Sequence, residues 1–125
     1  MVNTNKTPTR TVRTSSGLVQ GYVDTDQECP LEVFLGIPYV HPPIGDRRFR
    51  PPEPLKDDPS STEVLSCMDH TPAAPQTPMP FDTLMSIDIG VQSEDCLHLN
   101  IWSPAQDADA RLPVLVWFHS GACLR

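Results

Sequence analysis

A candidate catalytic turn, His119-Ser-Gly-Ala122, lies near one end of the sequence, directly after the apolar run Leu112-Pro-Val-Leu-Val-Trp-Phe118. A tight Gly-containing turn can aim backbone N–H groups at one point. Such donors form an oxyanion hole, and each is worth about 3–4 kcal/mol of transition-state stabilisation when a nucleophile attacks a carbonyl held there. Ser120 is the one hydroxyl in the turn. No motif places a base beside it, and an unactivated serine is a weak nucleophile. A Gly-x-Ser-x-Gly elbow occurs nowhere in the 125 residues. The sequence thus carries a candidate oxyanion turn without a nucleophile, base or acid to serve it.

An oxyanion turn has to be presented by a rigid element. Val114 to Phe118 is continuously apolar and includes two β-branched residues, which predicts a central strand buried on both faces. Cys96-Leu-His-Leu-Asn-Ile-Trp102 alternates apolar and polar residues and predicts a half-buried strand. Near the other end, Thr11 to Tyr22 predicts a hairpin turning at Ser15-Ser16-Gly17, and Leu31 to Leu35 a third short strand. Prolines block regular structure from Pro38 to Pro59, so this stretch must be an extended loop. Phe34, Ile37, Tyr39, Ile44 and Phe49 lie within or beside it, and so many large apolar groups predict a packed loop rather than a solvated linker. Residues 57–89 are weakly patterned, with one helical turn expected between Thr83 and Ile89.

Composition sets the outer limits. The chain is long enough for one domain with a core and too short for two ordinary ones. Its apolar fraction is 38%, and its fifteen prolines are about double the usual share. Both weaken autonomous folding. A net charge of −7 argues against a nucleic-acid partner, which would need a basic footprint. No run approaches the length of a membrane span, and the polar, Thr-rich Met1 to Ser16 has no apolar signal region. The cytoplasm is therefore the expected compartment, with secretion left open. Cys29, Cys67, Cys96 and Cys123 lack metal-site spacing, so no metal or cofactor is expected.

Three blocks identify a family. They are Phe34-Leu-Gly-Ile-Pro-Tyr-Val-His-Pro-Pro-Ile-Gly-Asp-Arg-Arg-Phe-Arg-Pro-Pro-Glu-Pro54, Gln92-Ser-Glu-Asp-Cys-Leu-His-Leu-Asn-Ile-Trp-Ser-Pro104, and Leu112 to Ala122. In this order they resemble the N-terminal region of a type-B carboxylesterase, the family of cholinesterases and para-nitrobenzyl-type esterases. The resemblance covers nearly the whole chain from about Val12. It implies an α/β class and an incomplete N-terminal part of an α/β-hydrolase fold: a small N-terminal β-hairpin sheet, a Pro-rich loop and the first strands of the central sheet. Residues 1–125 would form one truncated segment of a single domain, with residues 1–10 disordered.

The resemblance also implies roles. Gly121 and Ala122 match oxyanion positions, and the donors there are backbone N–H groups. A third donor, and the Ser, acid and His of the triad, would lie in sequence beyond Arg125. His119 matches a loop-supporting histidine rather than the general base. Arg48 and Glu94 match a salt-bridge pair that pins the Pro-rich loop. Asn100 is expected to satisfy buried backbone groups, and Asp95 to bond backbone or cap a turn. Cys96 matches a cysteine whose usual disulfide partner is replaced by Ala74, which predicts a free, buried thiol.

Departures from the family pattern are also present. Ser120 stands for the usual first Gly. Cys123 to Arg125 do not continue the aromatic that normally follows, as a frameshift, a premature stop or a gene-model boundary would produce. Asp57 to Ser60 replaces a tryptophan. The expected function is hydrolysis of a small-molecule carboxylic ester through an acyl-serine, with this segment supplying scaffold and oxyanion loop and inactive alone. The alternative is a degenerate or non-catalytic esterase-like fragment.

Overall fold

Ser15 and Ser16 form a two-residue turn between β2 (Val12–Thr14) and β3 (Gly17–Gln20), whose register pairs Thr14 with Gly17. Gly17 has φ +112, a conformation that a side chain would disfavour. The Thr14 hydroxyl closes the turn, accepting from the Ser16 amide at 3.1 Å and donating to the Gly17 carbonyl at 3.0 Å. This is the predicted hairpin. The computed structural model describes residues 6–26, 28–56, 58–77, 88–105, 107 and 109–119.

The strands form two sheets among the described residues. One has the order β1 (Thr7–Pro8), β4 (Tyr22–Asp24), β5 (Leu31–Pro38), β7 (His98–Ser103), with every neighbouring pair antiparallel. The other has the order β2, β3, β6 (Val64–Ser66), with β6 parallel to β3. β3 and β4 are separated only by Gly21, where the chain passes from one sheet to the other. A Cβ on Gly21 would lie 2.0 Å from the Val33 carbonyl oxygen, so only glycine allows this crossing. Thr9 lies buried beside it. Its hydroxyl accepts from the Gly21 amide at 3.1 Å, and its own amide donates to the Gly21 carbonyl at 3.0 Å.

Cys67 joins the two sheets through its backbone. Its amide donates to the Gln20 carbonyl at 2.7 Å, and its carbonyl accepts from the Leu35 amide at 2.8 Å. Its side chain is fully buried with Val19, Phe34 and Ile37, and Val12 packs against them. This core is small, since each such aliphatic or aromatic side chain contributes about 1.5–3 kcal/mol when buried.

Several expectations need correction. Residues 6–10 are not disordered: Thr7–Pro8 pair with β4 and Thr9 is buried, because β4 offers an edge and Gly21 offers polar partners. Residues 1–5 lie outside the described set. The strand predicted from Cys96 begins at His98 and is more exposed than half-buried, since among the described residues β7 pairs with β5 alone. Val114 to Phe118 does not form a strand. It is irregular and exposed, with Leu115 at 90% and Trp117 at 81%, because no neighbouring strand among the described residues flanks it. The expected helical turn at Thr83 falls mostly on residues outside the described set. β1, β4 and β6 were not foreseen.

The Pro-rich loop is ordered, but not by apolar packing. Phe49 is 97% exposed, and Tyr39 and Ile44 are also exposed. Backbone bonds hold the loop instead. Val40 and Pro54 form a bridge, the His41 amide donates to the Glu53 carbonyl at 2.8 Å, and a single 3₁₀ turn spans Gly45–Arg47.

Candidate functional site

Ser120 and the proposed oxyanion donors Gly121 and Ala122 lie outside the described residues. His119 is the last described residue; it is exposed and has an interaction partner. The described residues form a scaffold of strands and loop upstream of that turn.

The first part of that scaffold is the irregularity in β5. Phe34 pairs with Ile101 and Ile37 with Leu99, so Leu35 and Gly36 together face Asn100. One extra residue on β5 makes a bulge. Gly36 adopts φ +74 there, and a Cβ on it would lie 2.4 Å from Thr71 Cγ2. The bulge leaves the Gly36 amide without a strand partner, and Asn100 Oδ1 accepts from it at 2.8 Å. Asn100 therefore satisfies a backbone group beside the strand.

The second part holds the Pro-rich loop to the segment before β7. Arg48 Nη2 lies 2.6 Å from Glu94 Oε1, with both side chains about half exposed. Phe49 follows at φ +60, and the Arg48 guanidinium stands 5.1 Å from the centre of its ring. Within the loop, Arg47 Nε donates to Glu53 Oε2 at 2.6 Å, which holds the Glu53 carboxyl below its ordinary value. A third tie joins residues 73–76 to the same segment. Ala73 and Gln92 form a bridge, and Gln92 Oε1 accepts from the Gln76 amide at 2.8 Å.

Nucleophilic chemistry finds no support in the described residues. Cys96 is free, as expected, and partly buried rather than fully buried. Burial, followed by the nearby Asp95 and Glu94 charges, raises its thiol above the ordinary value. Burial likewise raises Cys67. Neither is a ready thiolate at neutral pH. Asp95 Oδ1 and His98 Nε2 are 3.8 Å apart, but the buried His98 Nδ1 has no hydrogen-bond partner among the described residues, so no hydroxyl is activated there. Among the described residues the Asp95 carboxylate caps no turn; its amide donates to the Ser93 hydroxyl at 3.1 Å. Among the described residues no cluster of His, Cys, Asp and Glu could hold a metal, and no helix is long and apolar enough to cross a membrane.

The chain is similar to known proteins. The profile of the carboxylesterase family matches residues 8–125. Liver carboxylesterase 1 of Mus musculus is 40% identical over 97 residues, which are 74% of this chain and 17% of that protein. Acetylcholinesterase of Electrophorus electricus is 38% identical over 120 residues, 91% of this chain and 18% of that protein. A thermophilic PNB esterase structure superposes with a TM-score of 0.70 at 35% identity, covering 93% of this chain and 22% of that one. The chain thus spans about a fifth of the length of the relatives it matches.

Proposed function

The chain belongs to the carboxylesterase family, and from that membership we propose that it is the oxyanion-bearing N-terminal portion of a carboxylic-ester hydrolase. Its fold is the corresponding incomplete part of the α/β-hydrolase fold. The observation that carries the proposal is the extent of the family match, which runs from the N-terminal strands through His119-Ser-Gly-Ala122. In this reading the Gly121 and Ala122 amides hold the oxyanion of an acyl-serine reaction. Asn100 and the Arg48–Glu94 pair support the strands and loop behind them, and His119 steadies the turn. The substrate is a small carboxylic ester.

The 125 residues alone lack the elbow serine, so they should not turn over p-nitrophenyl acetate. Saturable hydrolysis by the purified chain that survives cysteine alkylation would contradict this. In a hydrolase that contains the segment, Ala122→Pro deletes one donor and should lower kcat by about 10²–10³-fold with little change in KM. An unchanged kcat overturns the oxyanion assignment.

A second reading, a degenerate or non-catalytic esterase-like chain, is favoured by two observations. Ser120 stands where the family pattern usually has a glycine, and Val114 to Phe118 lies exposed with no strand beside it among the described residues. A normal kcat for Ser120→Gly and the parent alike, in a hydrolase containing the segment, rules this reading out.

A further inference from the structure

The Pro-rich loop encloses a cleft of about 280 Å³ that plays no part in the ester chemistry above. Tyr39, Pro43, Pro51, Pro52 and Leu97 form its apolar walls, and Arg50 lines it together with His41 and the paired Arg47 and Glu53. We propose that this cleft binds a small carboxylate with an apolar body, an aryl or short-chain alkyl carboxylate, with Arg50 as the anion-binding group.

The argument begins with three neighbouring arginines that have different commitments. Arg47 is neutralised by Glu53 at 2.6 Å, and Arg48 by Glu94 at 2.6 Å. The Arg50 guanidinium has no hydrogen bond or ion pair among the described residues, although its backbone amide is engaged with the Arg47 carbonyl. The chain reverses at Phe49, whose φ of +60 is an uncommon conformation for a bulky residue. That reversal separates Arg48, which turns to Glu94, from Arg50, which lines the cleft. Outliers of this kind persist only where the surroundings hold them, and they concentrate at binding sites.

Two further features select the ligand. The walls are already fixed: proline rings lock φ, and the His41–Glu53 backbone bond and the Arg47–Glu53 pair close the loop at its base. A preformed site loses little freedom when it binds. The charge suits a monoanion, because one planar guanidinium can grip one carboxylate in two places. A dianionic phosphate would keep one charge unmatched beside Glu53, which also lines the cleft and is itself paired with Arg47. The volume admits a single ring or a short alkyl chain. This proposal does not depend on the oxyanion assignment, since none of these residues belongs to the His119–Ala122 turn.

The test is a titration of the full 125-residue chain with sodium benzoate, followed through its amide ¹H–¹⁵N spectrum. Saturable shifts at the His41, Arg50 and Glu53 amides are expected. Benzyl alcohol, with the same ring and no charge, should bind at least about fivefold more weakly, because a charge-assisted bond is lost. Arg50→Ala should weaken benzoate binding to the same degree, and Arg50→Lys should recover part of it. If Arg50→Ala disturbs the rest of the spectrum, Arg50→Gln against Arg50→Lys reads the same contrast in charge. Three results overturn the proposal: no saturable shift at these amides, benzyl alcohol binding as tightly as benzoate, or benzoate affinity unaffected by loss of the Arg50 charge.

Discussion

Asn100 Oδ1 accepts the Gly36 amide at 2.8 Å and so fills the gap that the bulge opens between β5 and β7. The side chain of one strand replaces a missing backbone acceptor in its neighbour. An unsatisfied amide at such a site costs about 1–3 kcal/mol. Asn100→Leu should therefore lower the unfolding free energy obtained from urea titration by about 1–3 kcal/mol, whereas Asn100→Asp, which keeps an acceptor, should lose less. Equal losses for the two variants would show that the acceptor is not what matters.

Gly21 and Gly17 separate two reasons for glycine. At Gly21 a Cβ would meet the Val33 carbonyl oxygen at 2.0 Å, so backbone must move. At Gly17 nothing lies within 4 Å, and only the φ of +112 opposes a side chain. Gly17→Ala should cost about 1–2 kcal/mol, the usual penalty for an L-residue at positive φ. Gly21→Ala should cost more, because it parts β4 from β5 where the sheets meet. Thermal melts of the two variants rank them, and a reversed order refutes the packing account.

These positions also show how far the sequence could be read. The hairpin was legible because Ser15-Ser16-Gly17 sits between β-formers, and β5 because Leu31-Glu-Val-Phe-Leu35 is rich in large apolar residues. Arg48, Glu94 and Asn100 became visible only through family resemblance, since nothing in their spacing states a partner 46 or 64 residues away. β1 and β6 were not legible. They are two and three residues long and are created by pairing with β4 and β3 rather than by their own pattern. Nothing in the weakly patterned stretch around Cys67 points to its role, yet its backbone joins the sheets. Val114 to Phe118 was read as a strand from composition alone, but a strand also needs neighbours to pair with.

Arg48 and Glu94 make a close but half-exposed pair, and exposed pairs are worth about 0–1 kcal/mol. A double-mutant cycle with Arg48→Met and Glu94→Gln should return a coupling energy in that range. The coupling should shrink in high salt as the charges are screened. A coupling that salt leaves unchanged would point to packing of the Arg48 stem, including its contact with Phe49, as the real contribution.

Glu53 gives the loop a pH dependence of known sign. Its hydrogen bond from Arg47 lowers the carboxyl pKa in the folded chain. The stability this adds is present in full above the unfolded-state value of about 4.3 and is lost as pH falls through the lowered folded value. The difference in urea midpoint between the parent and Glu53→Gln should be constant near neutral pH and shrink in acid below about pH 4. A difference that grows on acidification has the wrong sign and would exclude the Arg47 pairing as its source.

Leu115 and Trp117 are 90% and 81% exposed in a run that also contains Val114, Val116 and Phe118. An exposed segment of β-formers without charge or internal proline templates association with other chains. The five residues from Val114 meet that description, with Pro113 just before them. Sedimentation of the purified chain should show association that increases with concentration, and Trp117 emission should shift to shorter wavelength as the assembly forms. Val116→Lys places a charge in the middle of the run and should reduce association without altering the β5–β7 pairing, which lies elsewhere in the chain. If the parent and the variant sediment alike as monomers, the run is tolerated in water, and its apolar character must be explained by something other than a need for strand neighbours.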